Sequence, residues 1–165
     1  MITNRESEIT KFKRHLIKRM YETPAIIWLL DCPQVDPQTP DTAEWTCIFP
    51  YIKIPDTQEQ IGNFIGIKID NYGGNKNNRL YDDFIVTVSV ICSIPSLRVK
   101  GWKGIRTDII AGEIKDLFNL NAEFGFKMEL EAEGEGVFED YNYYYRNLRF
   151  RALRSNTSKN CPAKE

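Results

Sequence analysis

The stretch LYDDFIVTVSVICSI, residues 80–94, constrains the fold more than any other. Phe84, Val86, Val88, Val90, Cys92 and Ile94 share one parity, and Thr87, Ser89 and Ser93 the other, joined by Ile85 and Ile91. Successive side chains of a strand point to opposite faces, so this pattern predicts a long strand with one face buried and the other partly wet. Its Val and Ile content suits a pleated surface. The breaker-rich SIPSLRVKGWKG follows, and then IRTDIIAGEIKDLFN at 105–119. There Ile110, Ile114, Leu117 and Phe118 recur at helical spacing, with Ile109 beside them. The rest of the chain is organised around this strand and helix.

Before that pair, residues 3–22 read as a helix. Ile9, Phe12, Leu16 and Met20 form a stripe widened by Ile17, and Thr3-x-x-Glu6 matches a capping box. Lys11, Lys13, Arg14, Lys18 and Arg19 make the helix basic, as a solvated outer face whose cations lie toward the end that the dipole favours. Thr23-Pro24 ends it. The continuously apolar run at 25–30 then reads as a short strand buried on both faces, with Trp28 in the core. Residues 31–41, DCPQVDPQTPD, hold Pro33, Pro37 and Pro40 and form an extended, rigid arm suited to contact with a neighbour.

Strands are predicted at 44–54, where Pro50 marks an edge or a bend, and at 63–70, with Ile65, Ile67 and Ile69 inward. A turn at 55–61 separates them, and the Gly- and Asn-rich 71–79 reads as a hairpin loop. Residues 124–131 alternate again, with Phe124, Phe126, Met128 and Leu130 inward. An acidic hairpin tip spans 131–140, and a last strand spans 141–153 with Leu148, Phe150 and Ala152 toward the core and Arg149 and Arg151 away from it. The whole is an α+β domain over 1–154: a mainly antiparallel sheet of about five to six strands, an N-terminal helix and one helix packed on the sheet. Residues 155–165 read as a loose C-terminal tail.

No constellation of catalytic residues emerges. Asp82 and Asp83 are adjacent on a strand and point to opposite faces, so they do not share a metal. Glu113-Ile114-Lys115 has the spacing of a nuclease half-motif but lies in the helix. The single histidine, His15, has no cysteine near it, and none of Cys32, Cys47, Cys92 and Cys161 stands at CxxC spacing. Cys47 and Cys92 fall on apolar strand faces, where a thiol is inert. Gly73-Gly74 lacks the lysine and Ser/Thr of a phosphate loop. No catalytic, cofactor or metal site is therefore expected.

Two functional classes remain beside a structural one: a small metal-dependent nuclease using Asp82 or Asp83 with Glu113, and a nucleic-acid-binding module on residues 143–154. In the second, Arg146, Arg149, Arg151 and Arg154 interleave with Tyr143, Tyr144 and Tyr145. A formal net charge of −1 gives the chain no overall field for nucleic acid or an anionic membrane. The opening residues do not read as a signal peptide, and the longest apolar run, 25–30, is too short to span a bilayer; both favour a protein made in a reducing cytoplasm.

RLYDDFIVTVSVIC at 79–92, IRTDIIAGEIKDLFN at 105–119 and YYYRNLRFRA at 143–152 together resemble the tail terminator and tail-completion (neck) proteins of long-tailed bacteriophages. The resemblance covers about half of the chain, and residues 31–61 depart from the compact members. It implies a virion protein of the tail or neck, assembled in the host cytoplasm. It also implies a homo-oligomeric ring, commonly a hexamer, that ends the tail tube and joins it to the head connector. Its partners would be itself, the tail tube protein and the head–tail connector proteins, with DNA only as cargo through the channel and no membrane. For such a ring, residue chemistry points to the arm prolines Pro33, Pro37 and Pro40 as contacts. It also points to acidic Glu133 and Glu135 meeting basic Arg149 and Arg151 across a subunit boundary.

Overall fold

The computed structural model describes residues 7–55, 62–74, 81–123 and 125–155. Its elements are α1 (Glu8–Tyr21), α2 (Pro24–Leu30), β1 (Ile48–Phe49), β2 (Asn63–Gly74), β3 (Tyr81–Ser93), α3 (Arg106–Phe118), β4 (Ala122–Glu123), β5 (Phe126–Phe138) and β6 (Tyr143–Ser155). The strands make one sheet in the order β1-β2-β3-β6-β5-β4, antiparallel except between β1 and β2. This is the α+β, mainly antiparallel architecture that the patterning predicts.

The parity of 80–94 explains the centre of the sheet. β3 pairs with β2 on one side and β6 on the other, placing Val86 between Ile69 and Phe150 and Val88 between Ile67 and Leu148. On this face α3 lays Ile110, Ala111, Ile114 and Phe118, and α1 lays Phe12, Leu16, Ile17 and Met20, all buried. Phe12 stacks on Phe126 at 4.4 Å between centroids, and Phe118 meets Phe150 edge-on. Burying each such side chain contributes roughly 1.5–3 kcal/mol, which fixes both helices on one side of the sheet.

Local rules account for the departures from the sequence expectations. Residues 24–30 are a helix, not a strand. An unbroken apolar run does not distinguish the two by periodicity, and Pro24, which ends α1, also stands at the first position of α2, where its fixed φ starts a helix. Trp28 consequently lies outside the core and is 60% exposed. α1 starts at Glu8, later than expected, because Ser7 is extended and its hydroxyl accepts the Thr10 N–H at 3.1 Å. The strand expected over 44–54 shrinks to Ile48–Phe49 and runs parallel to β2. Trp45 there takes a left-handed φ of 66° and turns outward, while Cys47 is buried in the turn before the strand. β5 runs on through the expected acidic tip to Phe138, and the reversal falls at residues 139–142, where Asn142 has φ 58°.

The sheet face away from the helices is covered at one end. A Cβ on Gly66 would stand 2.6 Å from the Tyr51 carbonyl oxygen, so residues 51–53 cross directly over β2 there. Phe49, Phe64 and Tyr143 pack together on the same side, which helps bury Ile91 and Ser93 on the parity expected to be partly wet. Thr3, Glu6, Phe124, Cys161, the 56–61 part of the expected turn, the 75–79 part of the expected loop and residues 156–165 lie outside the described residues.

Candidate functional site

Among the described residues, both margins of the sheet have a strand that runs on past its short outer neighbour. β1 covers β2 only at Ile65 and Gly66. Beyond it, along residues 67–70, no strand lies on the outer side of β2 among the described residues. On the other margin, β4 covers β5 at Phe126 and Lys127. Met128 and Leu130 then bond to residues 119–121. From 131 to 138 no strand lies outside β5 among the described residues, and this stretch is largely exposed. A sheet margin with unpaired backbone groups is a template for another strand. β2 and β5 run in opposite directions, since each step from β2 through β3 and β6 to β5 is antiparallel. Two copies related by rotation about an axis along the strands would therefore pair β5 of one with β2 of the next in antiparallel sense.

The charged residues singled out in the sequence lie beside this margin and meet within the chain. β5 and β6 are neighbours, so the acidic and basic stretches face each other across one ladder. Glu133 and Glu135 accept from Arg146 at 2.7 and 2.8 Å, and Glu133 also from Lys115 at 2.9 Å. These contacts hold the Glu133 carboxyl below its ordinary range, with the Lys115 hydrogen bond the largest cause and that from Arg146 next. Arg149 pairs with Glu131 at 3.0 Å and Arg151 with Asp83 at 2.9 Å, both on the face away from the helices. Arg146, which the sequence places in a nucleic-acid platform and in the basic 146–154 stretch, is the hub of the cluster and also reaches Asp108 on α3 at 3.1 Å. Its central place follows from the hairpin register, which residue types alone do not give.

The proline arm also departs from expectation. Suited by its sequence to contact with a neighbour, it also packs on its own subunit: Val35 is 8% exposed and joins the core. Pro33, Pro37 and Pro40 line a groove against α2.

The alternative chemistries find little geometry. Asp83 is held by Arg151, Asp82 faces the opposite side of the sheet, and Glu113 stays on α3. Among the described residues no group of three or more His, Cys, Asp or Glu is arranged to hold a metal ion. His15 meets Glu123 at 2.5 Å and thereby ties α1 to β4. Part of the stacking platform expected at 143–154 is occupied internally: Tyr143 is buried against Phe64, and Arg146, Arg149 and Arg151 are each paired with carboxylates, while the Arg154 side chain lies outside the described residues. Among the described residues no helix is long and apolar enough to cross a membrane.

A family model described as YomW matches residues 15–152. No curated protein sequence matches the chain. Among solved structures, the chain is similar to one from "Virion of native gene transfer agent (GTA) particle". The two align with a TM-score of 0.59 at 11% sequence identity, over 91% of this chain and 99% of that one. At that identity the likeness is one of fold.

Proposed function

The chain belongs to the YomW family, and from that premise we propose that it is a structural virion protein of a phage-type particle. In this reading copies close into a ring, a hexamer as the resemblance to tail terminators implies, that ends the tail tube and joins it to the head connector. The observation that carries the reading is a fold shared, over nearly the whole of both chains, with a subunit of a gene transfer agent virion. The sheet margins support its ring form. Strand addition of β5 onto the neighbour's β2 is heterologous, and a heterologous contact closes into a ring when its rotation permits. Glu133 and Glu135 lie along the β5 margin and are paired within the chain, as are Arg149 and Arg151 on the face away from the helices, so in this reading the main-chain margins and not these charges join the copies. Catalysis has no part in this reading.

The test is composition of the particle. Particles banded on a density gradient are digested and quantified by mass spectrometry against the major capsid protein. Several copies of the chain per particle are expected. Its absence from the banded particles, or a single copy, overturns the reading.

A further inference from the structure

Cys32 and Cys47 come from different segments and meet at one place. Cys32 follows Asp31, whose left-handed φ of 48° ends α2, and its carbonyl accepts the Val35 N–H at 3.1 Å. Cys47 stands just before β1; its N–H donates to the Ala43 carbonyl at 3.0 Å, and its carbonyl accepts the Ile65 N–H at 2.8 Å. Backbone bonds thus hold the chain at both cysteines, and both side chains line one cavity of about 210 Å³, walled in part by Asn63, Phe64 and Tyr143.

The surroundings of the two thiols differ. Cys32 is half-buried and its Sγ donates to Gln34 Oε1 at 3.0 Å, whereas Cys47 is buried. Burial pushes the Cys47 thiol up, and Cys32 adds to the shift, first through its charge and then through a side-chain hydrogen bond between the pair. Two sulfurs in contact suit either a metal or a disulfide. A structural zinc takes four ligands, and among the described residues no group of three or more His, Cys, Asp or Glu is arranged to hold a metal ion. The chemistry that two thiols complete by themselves is the disulfide.

We propose that Cys32 and Cys47 are a redox modification site, where a low-molecular-weight disulfide such as oxidised glutathione closes a Cys32–Cys47 disulfide in the folded protein. Cys32, the more accessible thiol, loses its proton and attacks one sulfur of the small disulfide, and one glutathione leaves as thiolate. Cys47 in turn loses its proton, attacks Cys32 Sγ in the mixed disulfide and expels the second glutathione. Two protein thiols are oxidised, one small disulfide is reduced to two thiols, and the two protons pass to the departing thiolates. Burial of Cys47 slows the second step, but its target sulfur is already beside it, an advantage that a reagent from solution lacks. The bond fastens the end of α2 to the turn before β1, across a loop of roughly 15 residues. Pro33, Pro37 and Pro40 already restrict that loop when unfolded, so the gain in stability is moderate. On the virion reading above, a chain made in a reducing cytoplasm and carried out in a released particle passes from the dithiol to the disulfide form.

The test incubates the purified, reduced full chain with oxidised glutathione at pH 8 without denaturant, blocks free thiols with N-ethylmaleimide in urea and maps the peptides by mass spectrometry. A Cys32–Cys47 link is expected in most molecules within hours, with Cys92 still free, and Cys47 is expected to stay reduced in Cys32→Ser. The oxidised protein is expected to melt about 3–8 °C above the reduced one, a difference absent in Cys47→Ala. A glutathione adduct that persists on Cys32, a link to Cys92, Cys161 or a second chain, or a link that forms only in urea overturns the proposal, as does an oxidised form that melts lower. Particles collected from the medium and blocked at once are expected to carry the same link, and a reduced pair in them also overturns the proposal. Absence of the chain from particles overturns the virion reading alone, because the purified chain decides the bond.

Discussion

At Gly66 the atoms that a Cβ would meet are backbone: the Tyr51 carbonyl oxygen at 2.6 Å and the Ile52 Cα at 3.0 Å. Neither can swing aside as a side-chain tip would. Gly66→Ala is therefore expected to cost about 1–3 kcal/mol, read as a lower urea midpoint at unchanged slope. Gly134→Ala, where nothing lies within 4 Å of the new carbon, should leave the midpoint nearly unchanged. The thiols test burial at the same scale. Burial pushes the Cys92 thiol up to about 12, with Arg106 opposing, and raises Cys47 well above its ordinary value, with Cys32 adding to the shift. Because the thiolate is the reactive form, native protein at pH 8 should alkylate at neither residue until it unfolds; prompt labelling of either by iodoacetamide would contradict the packing. Residue identities disclosed most of the inward face, since Phe84 through Cys92 simply alternate. They did not disclose Trp28 outside the core, nor Gly66 under a crossing segment, because both depend on a neighbour brought in from elsewhere in the chain.

Between elements, one arginine fastens three segments. Arg106, at the start of α3, donates to Ser96 O at 2.8 Å and to Leu29 O, tying α3 to the turn after β3 and to the end of α2. Arg106→Ala takes the donor from the buried Leu29 carbonyl and the half-buried Ser96 carbonyl and should destabilise the fold by roughly 1–3 kcal/mol; thermal unfolding checks it, and a near-wild-type midpoint would contradict the tether. Glu133 gives a pH signature for the tie of β5 to α3 through Lys115 and, second, to β6 through Arg146. Its folded carboxyl lies below the unfolded value, so its contribution is present above the unfolded pKa and is lost as pH falls through the folded one. Glu133→Gln should thus be less stable than wild type at pH 7, the gap closing as pH drops below about 4. A gap that persists to low pH would show that the carboxylate charge is not what matters. The element scale also shows what patterning can reach. Alternation found β3 and β6, and Pro50 marked an edge. The run at 24–30 misled because a fully apolar stretch carries no period. The acidic and basic stretches at 131–140 and 146–154 read as partners for different subunits because charge alone does not say that one short hairpin lays them side by side.

For the whole molecule, the claim that matters is that copies join through the sheet margins. The four long strands β2, β3, β6 and β5 hold 12 or 13 residues each, about 40 Å of extended chain. They carry their helices on one face and an almost helix-free, charge-paired surface on the other, a shape suited to the wall of a channel. Pro50 pointed to β1 at one edge, but that β2 and β5 run on past their short outer neighbours was not legible in the sequence, since alternation reports faces and not neighbours. A cryo-electron-microscopy reconstruction of the assembled particle tests this most directly. The account predicts a closed ring of identical chains in which residues 131–138 of each β5 lie alongside residues 67–70 of the next copy's β2, antiparallel. A chain present once, or a ring whose contacts leave both margins exposed to solvent, would contradict it.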